Sequence, residues 1–159
     1  MTSVEGTPDQ DWPPSPPLQD VSDHELPNGN AILGVGMAGK SHWSASLASI
    51  TQVGEQSSEI IRCEFACLQK GISESAANQA SLGSCYELSA EFSSTGIGEN
   101  QIEIVDSKTG AKFLIETIDG AEWGSQFEST DSQLSVRPTV ISESPVRSTQ
   151  WGFQLTIAR

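Results

Sequence analysis

Apolar residues in this chain recur at every second position, and that periodicity constrains the fold more than any other feature. Ile61, Cys63, Phe65 and Cys67 alternate with Arg62, Glu64 and Ala66. Tyr86, Leu88, Ala90 and Phe92 alternate with Glu87, Ser89 and Glu91. Near the C-terminus Trp151, Phe153, Leu155 and Ile157 alternate with Gly152, Gln154 and Thr156. A strand sends successive side chains to opposite faces, so each run reads as a strand with one buried face and one wet face. A helix-covered parallel sheet would show unbroken apolar strands instead.

One hairpin is legible residue by residue. Gln101–Val105 and Ala111–Ile118 flank Asp106-Ser107-Lys108-Thr109-Gly110. Aspartate opens a turn by accepting from its own downstream backbone, and glycine supplies the left-handed position that closes it. Ile102 and Ile104 are then expected to meet Phe113 and Ile115 on one face. Gly54 marks a turn within 53–59, and 69–84 is the longest break, with a short helix candidate near Ser73–Gln79. Leu134, Val136 and Val140 suggest a further strand, which Pro138 should confine to a sheet edge or bend. The count reaches about seven strands, which predicts an all-β fold: a single antiparallel β-sandwich or partly open barrel.

One motif runs against this pattern. Gly34-Val35-Gly36-Met37-Ala38-Gly39-Lys40-Ser41 satisfies the phosphate-loop spacing G-x-x-x-x-G-K-[ST]. In such a loop, backbone N–H groups cradle phosphates, Lys40 holds the outer phosphates and Ser41 ligates Mg²⁺. The chemistry needs a helix starting at the Lys-Ser end, so this alternative predicts a helix from about Ser41 to Thr51. The surrounding sequence favours a strand there, because Trp43, Ala45 and Leu47 alternate with His42, Ser44 and Ser46. Gly34, Gly36 and Gly39 also fit G-x-G-x-x-G, without a legible βαβ unit around them. The plainer reading of residues 31–40 is a glycine-rich lead-in to the first strand.

Residues 1–30 stand apart in composition. They hold six of the eight prolines, six acids and no lysine or arginine. Too little apolar surface is present to offset the entropy of ordering, so a disordered, acidic, Pro-rich arm is expected, with the β domain over 41–159. Pro13-Pro14-Ser15-Pro16-Pro17 favours polyproline II.

The net charge is −13, with 21 acids against 8 dispersed bases. That balance speaks against nucleic acid and against an anionic membrane surface. No apolar run approaches a membrane span, and the first residues lack a basic, apolar leader, so a cytoplasmic protein is the expectation. Cys63, Cys67 and Cys85 are odd in number, and the first two, four residues apart on one strand, sit roughly 13 Å apart, too far to pair. With only His24 and His42 beside them, they read as small buried hydrophobes, and no metal or cofactor is implied. A Cys–His couple would need Cys85 or its siblings beside His42. Glu99, Glu103, Asp106, Asp119 and Glu122 read as solvated turns and strand faces.

Trp43 and Trp151 fit inward strand faces. Trp123, between Glu122 and Gly124, is the tryptophan best placed to stack on a ligand. The sequence therefore points to a non-catalytic binding or assembly module, with an unknown protein partner or self-association through edge strands. The alternatives are nucleotide binding through Gly34, Gly39, Lys40 and Ser41, and a carbohydrate-binding sandwich that stacks a sugar on Trp123.

Overall fold

The computed structural model describes residues 1–6, 13–52, 58–70, 82–98, 100–118, 120–139 and 146–158. Twelve strands form among them: β1 (Thr2–Ser3), β2 (Asp20–Leu26), β3 (Gly29–Ala38), β4 (Ser41–Gln52), β5 (Ser58–Lys70), β6 (Ser84–Glu87), β7 (Phe92–Gly98), β8 (Gln101–Asp106), β9 (Lys112–Glu116), β10 (Ser125–Ser129), β11 (Gln133–Pro138) and β12 (Val146–Ala158). They pair antiparallel into a large sheet, ordered β2-β3-β4-β5-β12-β9-β8-β7, and a small one, ordered β1-β6-β11-β10. Neither sheet closes on itself, so the fold is an all-β sandwich and not a barrel. The proposed helix near Ser73–Gln79, the turn centred on Gly54 and Val140 lie outside the described residues. No helix among the described residues is long and apolar enough to cross a membrane.

Register explains the core. Ala45 and Trp151 both face Phe65, and Leu47 and Phe153 both face Cys63. Leu155 and Ile102 both face Ile115. The alternating apolar sets of β4, β5, β12, β9 and β8 therefore share one inner face. Leu134 and Val136 of β11 close over it in a single buried cluster. Trp151 stacks on Phe65 at 5.7 Å and meets Trp43 edge-on at 6.0 Å. Its indole Nε1–H donates to Ser84 Oγ at 2.9 Å, so this buried ring also carries a satisfied polar group that ties the two sheets.

The hairpin between β8 and β9 follows the sequence expectation. Asp106 Oδ1 accepts from the Lys108 N–H at 2.8 Å, and Thr109 Oγ1 donates to Asp106 Oδ2 at 2.6 Å. Those bonds hold the Asp106 carboxyl below its ordinary value. Ile102 pairs with Ile115 and Ile104 with Phe113.

Four expectations are corrected. The 86–92 run is not one strand: β6 ends at Glu87, and a tight turn closed by Phe92 N–H to Ser89 O (2.9 Å) carries the chain from the small sheet to the large one. The alternation there spans a sheet change. Strand β11 lies between β6 and β10 and so is not an edge strand; Pro138 is its last residue, beyond the Gln133–Val136 pairing with β6. Residues 31–40 are not a lead-in, since β3 occupies most of them.

The fourth concerns residues 1–30, where β1 and β2 form and Pro13 and Ser15 are buried. Every residue of β2 is exposed, so its order comes from ladder pairing with β3 rather than from apolar burial. Between them, Ser15 Oγ donates to Cys85 O and accepts from Cys85 N–H, both at 2.9 Å, which extends the edge of β6 beyond β1. Composition measures burial capacity and does not register these backbone bonds.

Candidate functional site

The phosphate-loop pattern folds as a β-hairpin. Gly34, Gly36 and Ala38 lie on β3, Gly39-Lys40 is a two-residue link, and β4 opens at Ser41, paired with Ala38. Gly39 has φ +55 and among the described residues no non-glycine residue has positive φ, which fits the hairpin turn that takes glycine first. The helix required by the nucleotide alternative is replaced by twelve residues of strand. Gly34 and Gly36 have a different structural reason. A Cβ at Gly34 would press on Leu18 Cδ1 at 2.8 Å, and one at Gly36 would collide with the Pro17 carbonyl. These glycines let the 13–19 segment cross β3 on its inner side.

The outer face of the large sheet carries the other period-two set. Leu33, Val35 and Met37 of β3 project there at 39%, 52% and 45% exposure. Beside them Ser44 and Ser46 (β4), Glu64 and Ala66 (β5) and Gln150 (β12) form a floor of small and polar side chains. Trp123 stands on the far side, brought there by the link from β9 to β10. A Cβ at position 152 would come within 2.9 Å of Trp123 Cη2, so the absent side chain of Gly152 makes room for the ring.

The Trp123 link is anchored. Ser125 Oγ donates to Gly152 O at 2.6 Å and accepts from Gly152 N–H at 2.9 Å. Strand β9 pairs with β12 only over Gln154–Ala158, so Ser125 takes the ladder bonds of Gly152 beyond that point. The Ser125 side chain is buried, two residues from a half-buried Trp123.

The result is a trough with one lobe of about 310 Å³ against Trp123 and a second of about 550 Å³ toward Asp20, His42 and Leu68. The lobes share Val35, Ser44 and Ala66. Both volumes fall in the ~300–1,000 Å³ range of ligand pockets. Glu64 is paired with Arg62 at 2.9 Å, so the Trp123 lobe contains no unpaired carboxylate.

No protein-family model, curated protein or solved structure matches this chain.

The other sequence candidates do not converge. Cys63 and Cys67 lie in the core, where burial pushes both thiols from 9.0 up to about 12. Cys85 is on β6 of the small sheet, whereas His42 lines the outer trough of the large one. Glu103 is held by Lys112 at 3.0 Å and Asp106 closes its turn, while Glu99 and Asp119 lie outside the described residues. Among the described residues no three His, Cys, Asp or Glu side chains gather as a metal site. Trp123 and His42 are the sequence candidates whose side chains line the trough, at its two ends. Val35, Ser44, Ser46, Glu64 and Gln150 were missed. They are the wet-face positions of β3, β4, β5 and β12, and only strand order brings them together.

Proposed function

We propose that this protein is a non-catalytic binding module that holds its ligand on the outer face of the eight-stranded sheet. The supporting observation is the trough: exposed Leu33 and Val35 face Trp123 across a floor of serine and alanine. A contiguous apolar surface with a few polar groups is the usual make-up of a binding site. The reading is non-catalytic because the core thiols stay protonated and His42 faces away from the small sheet that carries Cys85. Three free cysteines suit a reducing cytoplasm. A partner strand has a second route in, since β7 carries no charged residue over Phe92–Gly98 while the opposite edge, β2, is guarded by Asp20, Asp23 and Glu25. The nucleotide alternative at Gly34, Gly39, Lys40 and Ser41 draws no support from backbone that is extended on both sides of the turn.

A thermal-shift panel of MgATP, MgGTP, neutral oligosaccharides and a random peptide pool tests the reading on wild type, Val35→Asp and Lys40→Ala. An oligosaccharide or peptide present near 100 times its Kd should raise Tm by about 5–10 °C. The rise should persist in Lys40→Ala and vanish in Val35→Asp. A nucleotide-dependent rise abolished by Lys40→Ala, or no rise with any of the panel, contradicts it.

A further inference from the structure

The trough has features that narrow its ligand. Its Trp123 lobe combines one flat aromatic ring with hydrogen-bonding groups of both senses: the Glu64 carboxylate accepts, the Gln150 amide donates and accepts, and the Ser44 and Ser46 hydroxyls do either. Among the described residues neither lobe is lined by lysine or arginine, so an anionic ligand finds no direct counter-charge from them. Arg62 neutralises Glu64, so a cationic ligand gains little beside Trp123. What fits beside Trp123 is a neutral molecule with an apolar flat face and a rim of hydroxyl groups, and the Asp20 carboxylate in the second lobe is a further hydroxyl acceptor. A pyranose ring has that shape: axial C–H groups cover its faces and hydroxyls ring its edge. An indole face, negative by its quadrupole, attracts such C–H groups. The small floor side chains leave depth for the ring, and the shared Val35, Ser44 and Ala66 join the lobes into a course for more than one sugar unit.

We infer that the trough binds a neutral oligosaccharide, with Trp123 as stacking platform and Glu64 and Gln150 as hydroxyl partners. This rests on the outer-face reading above and goes further by naming the ligand class. Ser125 acts through Trp123: its paired bonds to Gly152 fix the link that presents the ring.

Calorimetry tests this on the full chain with maltohexaose, cellohexaose, xylohexaose and chitohexaose as probes. At least one should bind wild type. Trp123→Ala should weaken that binding about tenfold, the equivalent of one aromatic contact. Trp123→Phe should restore much of it, which a merely structural loss would not do. Ser46→Leu, which fills the floor without removing a packed group, should abolish binding while the melting temperature holds. Equal binding by wild type and Ser46→Leu overturns both the sugar assignment and the outer-face reading. If none of the four sugars binds but the peptide pool stabilises wild type and not Val35→Asp, the sugar assignment falls and the outer-face reading stands. Binding of nothing from either set overturns both.

Discussion

At the scale of single residues, burial decides which reactive groups remain available. Cys63 and Cys67 face the aromatic core, and desolvation raises each thiol from 9.0 to about 12. A thiol whose pKa is raised on folding binds its proton more tightly in the native state. The folded form is therefore favoured in full below pH 9, and that contribution is lost as pH climbs from about 9 toward about 12. Thermal unfolding should show Tm falling across that interval, less steeply in Cys63→Ala. At pH 8, Ellman's reagent should leave Cys63 and Cys67 unmodified until denaturant is added, because the thiolate is the reacting species. Prompt labelling of both in native protein would contradict their placement. Their burial was legible from alternation alone, since both sit in the apolar phase of β5. The role of Gly152 was not, because it depends on a tryptophan 29 positions away, carried on the link from β9 to β10.

At the scale of elements, the agreement with sequence follows apolar burial. The β8–β9 hairpin, β5 and β12 were all legible, because each alternates over several residues and the turn has its own chemistry. Strand β2 was missed, since its seven residues bury nothing and are held by backbone pairing. Gly34 fits a phosphate loop, and Gly34 and Gly36 fit G-x-G-x-x-G, whereas their missing side chains admit Pro17 and Leu18. This packing sets up a contrast between two substitutions. Gly36→Ala drives a Cβ into the Pro17 carbonyl and should cost about 1–3 kcal/mol, the usual range for overpacking. Gly96→Ala on β7 meets open space and should leave stability within about 1 kcal/mol of wild type, or raise it. Urea unfolding of the pair measures the difference. Equal midpoints would mean that the 13–19 segment does not press on β3.

At the scale of the whole molecule, the two faces of the large sheet divide the work. The inner face is sealed by β6, β10 and β11 over a core of tryptophan, phenylalanine and isoleucine. The outer face keeps serine, alanine and glutamine low against a line of exposed apolar groups on β3, with Trp123 opposite. Alternation in the sequence predicts that two such faces exist. It does not give the order β3-β4-β5-β12, which alone sets the wet positions of four strands side by side. The candidate site was therefore legible only through Trp123 and His42, while the more conspicuous glycine motif is a β-hairpin. An amide-shift map of isotope-labelled protein, recorded with maltohexaose, cellohexaose, xylohexaose and chitohexaose and separately with MgATP, reads the division directly. A sugar should move the Ser44, Ser46, Ala66 and Gln150 amides and the Trp123 indole N–H, and MgATP should move none. Shifts at Gly39, Lys40 and Ser41 on adding MgATP, with the outer face silent to every sugar, would contradict it.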